Sequence, residues 1–326
     1  MMSDNTTAGV KKRFKFDARS FRRFFPILFL FVMCLVFTIL NPHFLSWRNF
    51  TIILVQIVTL LVSAMGITFV IMAGSIDLSV GSILALSAVA TALSVPSMGV
   101  FAFIPALITG LLVGLLNGLI FSIGRVPSFI ATMGIQVAIR GLVLIITKGV
   151  PMQIKDSLFL TVYSGRSFAS IPNTAYFAVI LVIVSYILLE KTAFGKEVRA
   201  VGGGERIAQL SGIRVRRVKV LVYCIAGLMY GVAGLLQSAR VLAATATLGE
   251  GFELDVIAAV VVGGTPLTGG VGGVPGTILG AFIIQILSNG MNMMGLSPYL
   301  QNIVKGIVLV TAVFVSVDRS QKNEVK

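Results

Sequence analysis

Asp77 is the residue whose chemistry is hardest to place. It stands in the run MAGSIDLSVGSILAL (72–86), between Ser75 and Ser79 and close to Gly81, where the other side chains are mostly aliphatic. A lone carboxylate in hydrocarbon costs roughly 2.5–3.5 kcal/mol even on mild insertion scales. The acid therefore has a partner or a task. At a membrane surface, Ser75 or Asp77 would cap the helix that follows and meet the positive end of its dipole. Inside a bundle, the same break would line a pathway, because non-helical backbone at depth persists only where protein or water satisfies it. A second set of able groups is Arg140, Arg240 and Lys305 with Glu250, Glu253 and Asp255, at the outer ends of apolar runs. Three cations and three anions at one depth can pair, and they are expected to ring an outer vestibule. The alternative is that each long side chain snorkels to the headgroups. A third set is the amides Asn117, Gln136, Gln285, Asn289 and Asn292, which either bond neighbouring helices or offer passing hydrogen bonds to a polar solute.

None of these sets points to covalent chemistry. There is no paired-carboxylate or nucleophile–base arrangement and no phosphate-cradling G-x-x-x-x-G-K-[ST] run. The single histidine, His43, and the well-separated Cys34 and Cys224 give no metal-ligand spacing and no disulfide signature.

The elements that must position these groups are membrane spans. Of 326 residues, 56% are hydrophobic and 12% charged, about half the charge of a soluble domain; the mean hydropathy is +0.99. A span needs about 20 apolar residues. The sequence offers ten: near 24–41, 50–73, 77–96, 100–123, 127–147, 174–190, 219–243, 254–270, 275–295 and 299–317. Glycine interrupts the pattern near 72–81 and 262–276, so broken helices are expected there. The fold class is thus an all-α polytopic bundle. It comprises a basic cytoplasmic segment 1–23, one transmembrane domain 24–318, and a cytoplasmic tail 319–326.

The net charge of +14 is explained by topology. Of 26 Lys and Arg residues, 19 fall in the N-terminal segment, the turn at Arg125, the loop 191–219 and the tail. The positive-inside rule puts that face, and both termini, in the cytoplasm of a bacterial inner membrane. Nucleic acid is not expected as a partner. The longest external segment, 148–173, mixes Lys, Asp, Tyr, Phe and Pro, which suits a docking protein or an ordinary amphipathic loop.

MAGSIDLSVGSILA (72–85) aligns with LTGGVGGVPGTILG (267–280) at an offset of 195. Corresponding breaks in two halves are a mark of transporters with internal repeats, although glycine-rich composition produces similar echoes. Three segments then carry a resemblance: GSIDLSVGS (74–82), ELDVIAAVVVGGTPLTGGVGG (253–273) and GKEVRAVGGGERIAQLSGI (195–213). Together they resemble the membrane permease of ribose-type ABC sugar importers, over about residues 40–318. The resemblance implies a second permease copy or close pair, a cytoplasmic ATPase carrying the ATP and Mg, and a periplasmic sugar-binding protein. No cofactor is expected on this chain itself. One departure is Gly204, where the family loop usually has asparagine.

The resemblance also makes 191–219 an ATPase-coupling loop, with Gly195, Arg199, Gly202, Gly203, Glu205, Arg206, Ile207, Leu210, Ser211 and Gly212 as its site. On residue pattern alone, 205–211 forms about two helical turns with Ile207 and Leu210 on one stripe, and Gly202 to Gly204 break the chain before it. A partner groove and a solvated loop fit that pattern equally. Pathway or helix-break candidates are Ser75, Asp77, Ser79, Gly81, Asn117, Gln136, Gly263, Gly264, Thr265, Gln285 and Asn289. Two rivals remain: a stand-alone secondary transporter or channel, with Asp77 as the ion-coupling acid, and a membrane enzyme on lipid-linked sugar, which would need clustered acids or a metal site.

Overall fold

The computed structural model describes residues 18–167 and 171–316. The basic residues Lys11, Lys12, Arg13 and Lys15 and the tail 319–326 lie outside the described residues.

Apolar sequence at helical period makes helices almost throughout. In chain order they are α1 (Ala18–Leu40), α2 (Trp47–Met72), α3 (Val80–Met98), α4 (Phe103–Ser122), α5 (Ser128–Thr147), α6 (Ser157–Ser164), α7 (Asn173–Tyr186), α8 (Ala193–Gly203), α9 (Glu205–Leu210), α10 (Val215–Val241), α11 (Phe252–Val262), α12 (Val274–Met293) and α13 (Pro298–Ser316). Two dipeptide strands, β1 (Met152–Gln153) and β2 (Ala243–Ala244), pair antiparallel and tie the loop after α5 to the end of α10.

Among the described residues, six stretches are long and apolar enough to cross a membrane, fewer than the ten expected. One of the six is the 43-residue stretch Val80–Ser122, about 65 Å if straight against a core of about 30 Å. It is not straight. A short 3-10 turn, Gly99–Ala102, separates α3 from α4, and Asn117 near the end of α4 reaches Ser79 just before α3. The stretch is a hairpin of two antiparallel helices. The apolar parts of α1 and α13, Pro26–Leu40 and Pro298–Phe314, are shorter than a full span. The expected span 254–270 contracts to α11, 11 residues, because Gly263 and Gly264 end the helix and the chain continues as a loop to Gly273.

α10 is the hub, packed against α2, α3 and α4. Small residues allow this. On α4, Gly110 and Gly114 lie so close to α10 that a Cβ on either would overlap the carbonyl oxygens of Gly227 and Tyr223 respectively. Such small-xxx-small approaches replace the hydrophobic drive that lipid cannot supply. The outer faces of α1, α5, α7 and α13 stay apolar and exposed, with Ile39, Ile145, Ile180 and Ile307 among them, as helices against lipid chains must.

Candidate functional site

Three features could carry function: the first helix break, the loop that α8 and α9 build, and a polar cavity at the opposite end of the bundle.

At the first break, Asp77 is buried, as are Ser75 and Ser79. Its Oδ1 accepts from the Ser79 backbone N–H at 2.9 Å and from the Ser79 hydroxyl at 2.5 Å, an Asx-turn. The Ser79 oxygen accepts in turn from the Asn117 amide at 2.8 Å. Side chains also satisfy the loose backbone: the Ile76 N–H donates to Ser128 Oγ, the Leu78 N–H to Thr132 Oγ1, and the Tyr223 hydroxyl to the Ile76 carbonyl. Ser79 is the residue that precedes α3, and its side chain makes no capping bond to the helix. The expected surface cap is therefore corrected: Asp77 folds the break itself, inside protein. Nor do Asp77, Ser75, Ser79 or Asn117 line the cavity described below.

The second break, 263–273, meets the first. The Gly270 N–H donates to the Met72 carbonyl at 3.0 Å. A Cβ on Gly269 would stand 2.6 Å from Gly74 N, and one on Gly270 2.9 Å from Gly203 Cα; a Cβ on Gly202 would overlap the Met72 carbonyl oxygen. Gly269 and Gly270 also adopt φ of +80° and +77°, a region that costs an L-residue roughly 1–2 kcal/mol. Both helix breaks and the end of α8 thus touch backbone to backbone. Gly263 packs against Gly276 in the same manner, Gly264 has φ +93°, and Thr265 is buried with its hydroxyl unpartnered.

The 191–214 segment is more helical than expected. Thr192 caps α8 by accepting from the Gly195 N–H, and α8 runs through Gly202 and Gly203, so the break before α9 is Gly204 alone. That corrects the expected three-glycine break: glycine at a helix end is tolerated where close packing needs it. Gly195 packs against the Leu189 backbone. Arg199 pairs with Glu190 at 2.5 Å and Lys219 with Glu205 at 2.6 Å. Ser211 and Gly212 close α9, the Gly212 N–H donating to the Gln209 carbonyl and the Ile213 N–H to that of Ala208. Ile207 is 72% and Leu210 82% exposed, and Arg206 beside them is exposed too. Such an apolar knob with nothing over it costs free energy unless something covers it.

The cavity, about 520 Å³, sits among α2, α10, α11, α12 and α13. Its lining includes Gln56 and Thr59 from α2, Gln237 and Arg240 from α10, Glu250 and Asp255, then Gln285, Ser288 and Asn292 from α12 and Lys305 from α13. Two hydrogen bonds cross it: Gln285 donates to Gln56 at 2.8 Å, and Thr59 to Gln237 at 2.8 Å. Lys305 pairs with Asp255 at 2.7 Å. The volume suits a small-molecule site, though the lining is more polar than most.

The expected charge ring divides in two. Arg240, Asp255, Lys305 and Glu250 face the cavity. Arg140 turns instead to the backbone carbonyls of Ala246 and Leu248 at 2.9 and 2.6 Å, and Gln136 donates to Glu253 at 3.2 Å. α11 stands between the groups because Glu253 and Asp255, two residues apart on a helix, point to different sides. Arg140 and Lys305 both face protein. Gln136 and Asn289 are structural by position: Asn289 exchanges amide bonds with buried Asn49 at 3.0 Å each way. Gly81 packs on Gly249. Sequence reading missed Gln56, Thr59, Gln237 and Ser288. The available signal was an uncharged polar residue inside a span, but Gln56 and Gln237 lie in different halves of the chain and nothing in one dimension joins them.

The chain matches the family described as branched-chain amino acid transport system / permease component over residues 49–313. It is 42% identical over 313 residues to the ribose import permease protein of Bacillus subtilis, covering 95% of this chain and 97% of that one. It is 38% identical over 296 residues to the ribose import permease protein of Escherichia coli K12, covering 89% and 92%. To the galactose/methyl galactoside import permease protein of Haemophilus influenzae it is 36% identical over 295 residues, covering 84% and 87%. No solved structure gives a significant match.

Proposed function

This chain belongs to the permease-component family that includes those ribose import permeases, and from that premise we propose that it forms the transmembrane path for a monosaccharide, ribose or a close relative, in an ATP-driven importer. The carrying observation is the pairing of a polar cavity at one end with an uncovered apolar knob at the other. A sugar released by an external binding protein enters the cavity. A cytoplasmic ATPase seats on α8 and α9, with Ile207 and Leu210 in its groove, and holds the ATP and Mg. Movement of that seat reaches both helix breaks through the contact of Gly202 and Gly203 with Met72 and Gly270, where no flexible side chain intervenes to absorb it. Two copies of the chain, or this chain with a close relative, complete the path. Both termini and the 191–219 loop face the cytoplasm, which the excess of Lys and Arg there supports.

The family description names branched-chain amino acids, but the cavity lining does not suit an aliphatic side chain. Gln56, Thr59, Gln237, Gln285 and Ser288 present amides and hydroxyls, partners for sugar hydroxyls. The test is uptake of labelled ribose into proteoliposomes holding this chain, its ATPase and its binding protein. ATP-dependent ribose uptake that leucine does not compete is the expected result. Uptake by this chain alone, or competition by leucine, would overturn the reading.

A further inference from the structure

The cavity holds one cation without a partner. Lys305 is neutralised by Asp255 at 2.7 Å, and Arg140 lies on the far side of α11 with its own acceptors. Arg240 lines the cavity and is only half exposed, yet no hydrogen bond or ion pair reaches its guanidinium among the described residues. Its nitrogens are not sealed off in protein, so they face the cavity space. A guanidinium has five donors and no acceptor, and a charged group held away from bulk water without acceptors is costly. It requires an oxygen-rich occupant: water when the cavity is empty, a ligand when it is filled.

The surroundings select the ligand's class. Glu250 and Asp255 line the same space and would repel an anion. The amides on either side are in weak cross-helix bonds, Gln285 to Gln56 and Thr59 to Gln237. These can be exchanged for bonds to hydroxyls at small net cost, since each substitutes one hydrogen bond for another. A neutral polyol with adjacent hydroxyls supplies acceptors to the guanidinium fork and both donors and acceptors to the amides.

We infer that Arg240, with Gln56, Gln237 and Gln285, forms a transient holding site for the vicinal hydroxyls of a neutral sugar, and that Arg240 sets its specificity. This rests on the sugar-permease reading. The exchange also has a mechanical side: an occupant that takes the Gln56 and Gln285 amides releases the bond joining α2 to α12.

The test reads occupancy directly. A reporter thiol, Leu309→Cys at the cavity edge, is placed in a chain with Cys34→Ser and Cys224→Ser. Its reaction rate with a water-soluble methanethiosulfonate is measured in nanodiscs, with ribose, with its 2-deoxy analogue, and with sulfate. Ribose should slow labelling at least threefold, the deoxy analogue less and sulfate not at all; Arg240→Gln should abolish the ribose effect, and Arg240→Lys restore it in part. Equal slowing in Arg240→Gln, no slowing by ribose, or slowing by sulfate instead would overturn the inference. A second measurement covers misfolding of the labelled chains: in the assembled complex Arg240→Gln should lower ribose uptake at least tenfold while ATP hydrolysis stimulated by the loaded binding protein stays within twofold. Parallel loss of both would make Arg240 structural. Failure of the permease reading shows differently, as wild-type complex that imports no sugar.

Discussion

The two helix breaks occupy equivalent places and are built from different materials. Each follows a helix that ends toward the 191–214 loop, each precedes a helix with a matched Gly-Ser/Thr-Ile-Leu start, and each sits at the offset of 195 residues seen in the sequence. In 73–79 the exposed backbone is satisfied by side chains: Asp77 takes Ser79, while Ser128, Thr132 and Tyr223 take Ile76 and Leu78. In 263–273 it is satisfied mainly by backbone: Gly264 N–H to Val261, Thr265 to Val260, Gly269 to Pro266, Gly270 to Met72. The first break is consequently anchored to α4, α5 and α10. The second is a glycine surface that lets α8 and the first break approach. One is a fixed post and the other a close-fitting contact, and a coupling device needs both.

That comparison can be broken experimentally, and the largest effect is expected at the contact. Gly202→Val would force a side chain into the Met72 carbonyl and the Gly270 N–H; overpacking of this kind costs about 3 kcal/mol or more, and the variant should be lost from the membrane fraction on detergent extraction. Gly270→Ala adds positive-φ strain to a 2.9 Å approach. It should cost about 2 kcal/mol, seen as a drop of several degrees in the melting temperature of purified protein.

At the post, Asp77→Ala strands the Ser79 N–H and hydroxyl, at about 1–3 kcal/mol, whereas Asp77→Asn keeps an acceptor and should lose less than half of that. If ribose uptake in Asp77→Asn falls far more than thermal stability, the acid has a transport role and the post description fails. Tyr223→Phe removes the donor to Ile76 and should cost about 1 kcal/mol. Ser75→Ala deletes a buried hydroxyl without a hydrogen-bond partner and should change stability by no more than about 0.5 kcal/mol, readable in the same melts. A larger loss there would mean that the first break is held by more than the bonds described.

Much of the architecture was legible in one dimension. Apolar run lengths placed every long helix within a few residues, and the glycine interruptions marked both breaks. The exposed knob of Ile207 and Leu210 followed from their three-residue spacing next to charged neighbours. α8 was not legible, because Gly202 and Gly203 read as breakers and only the neighbouring backbone shows why glycine was needed there. The charge ring was half right: inward facing followed from short acidic stems, but the side of α11 on which each acid lies did not.

The sequence by itself determined that this chain is membrane-embedded, all-helical, broken at two glycine-rich points and strongly basic in one loop. These properties are sums over local composition, and solvation by lipid or water acts on each segment separately. Only the tertiary structure decided that Asp77 is buried as a turn former, that the two breaks and the loop glycines touch, and that Gln56, Gln237, Arg240 and Gln285 share a cavity. Those facts depend on how closely helices approach and turn toward one another, which is set by packing between segments up to about 230 residues apart in the chain.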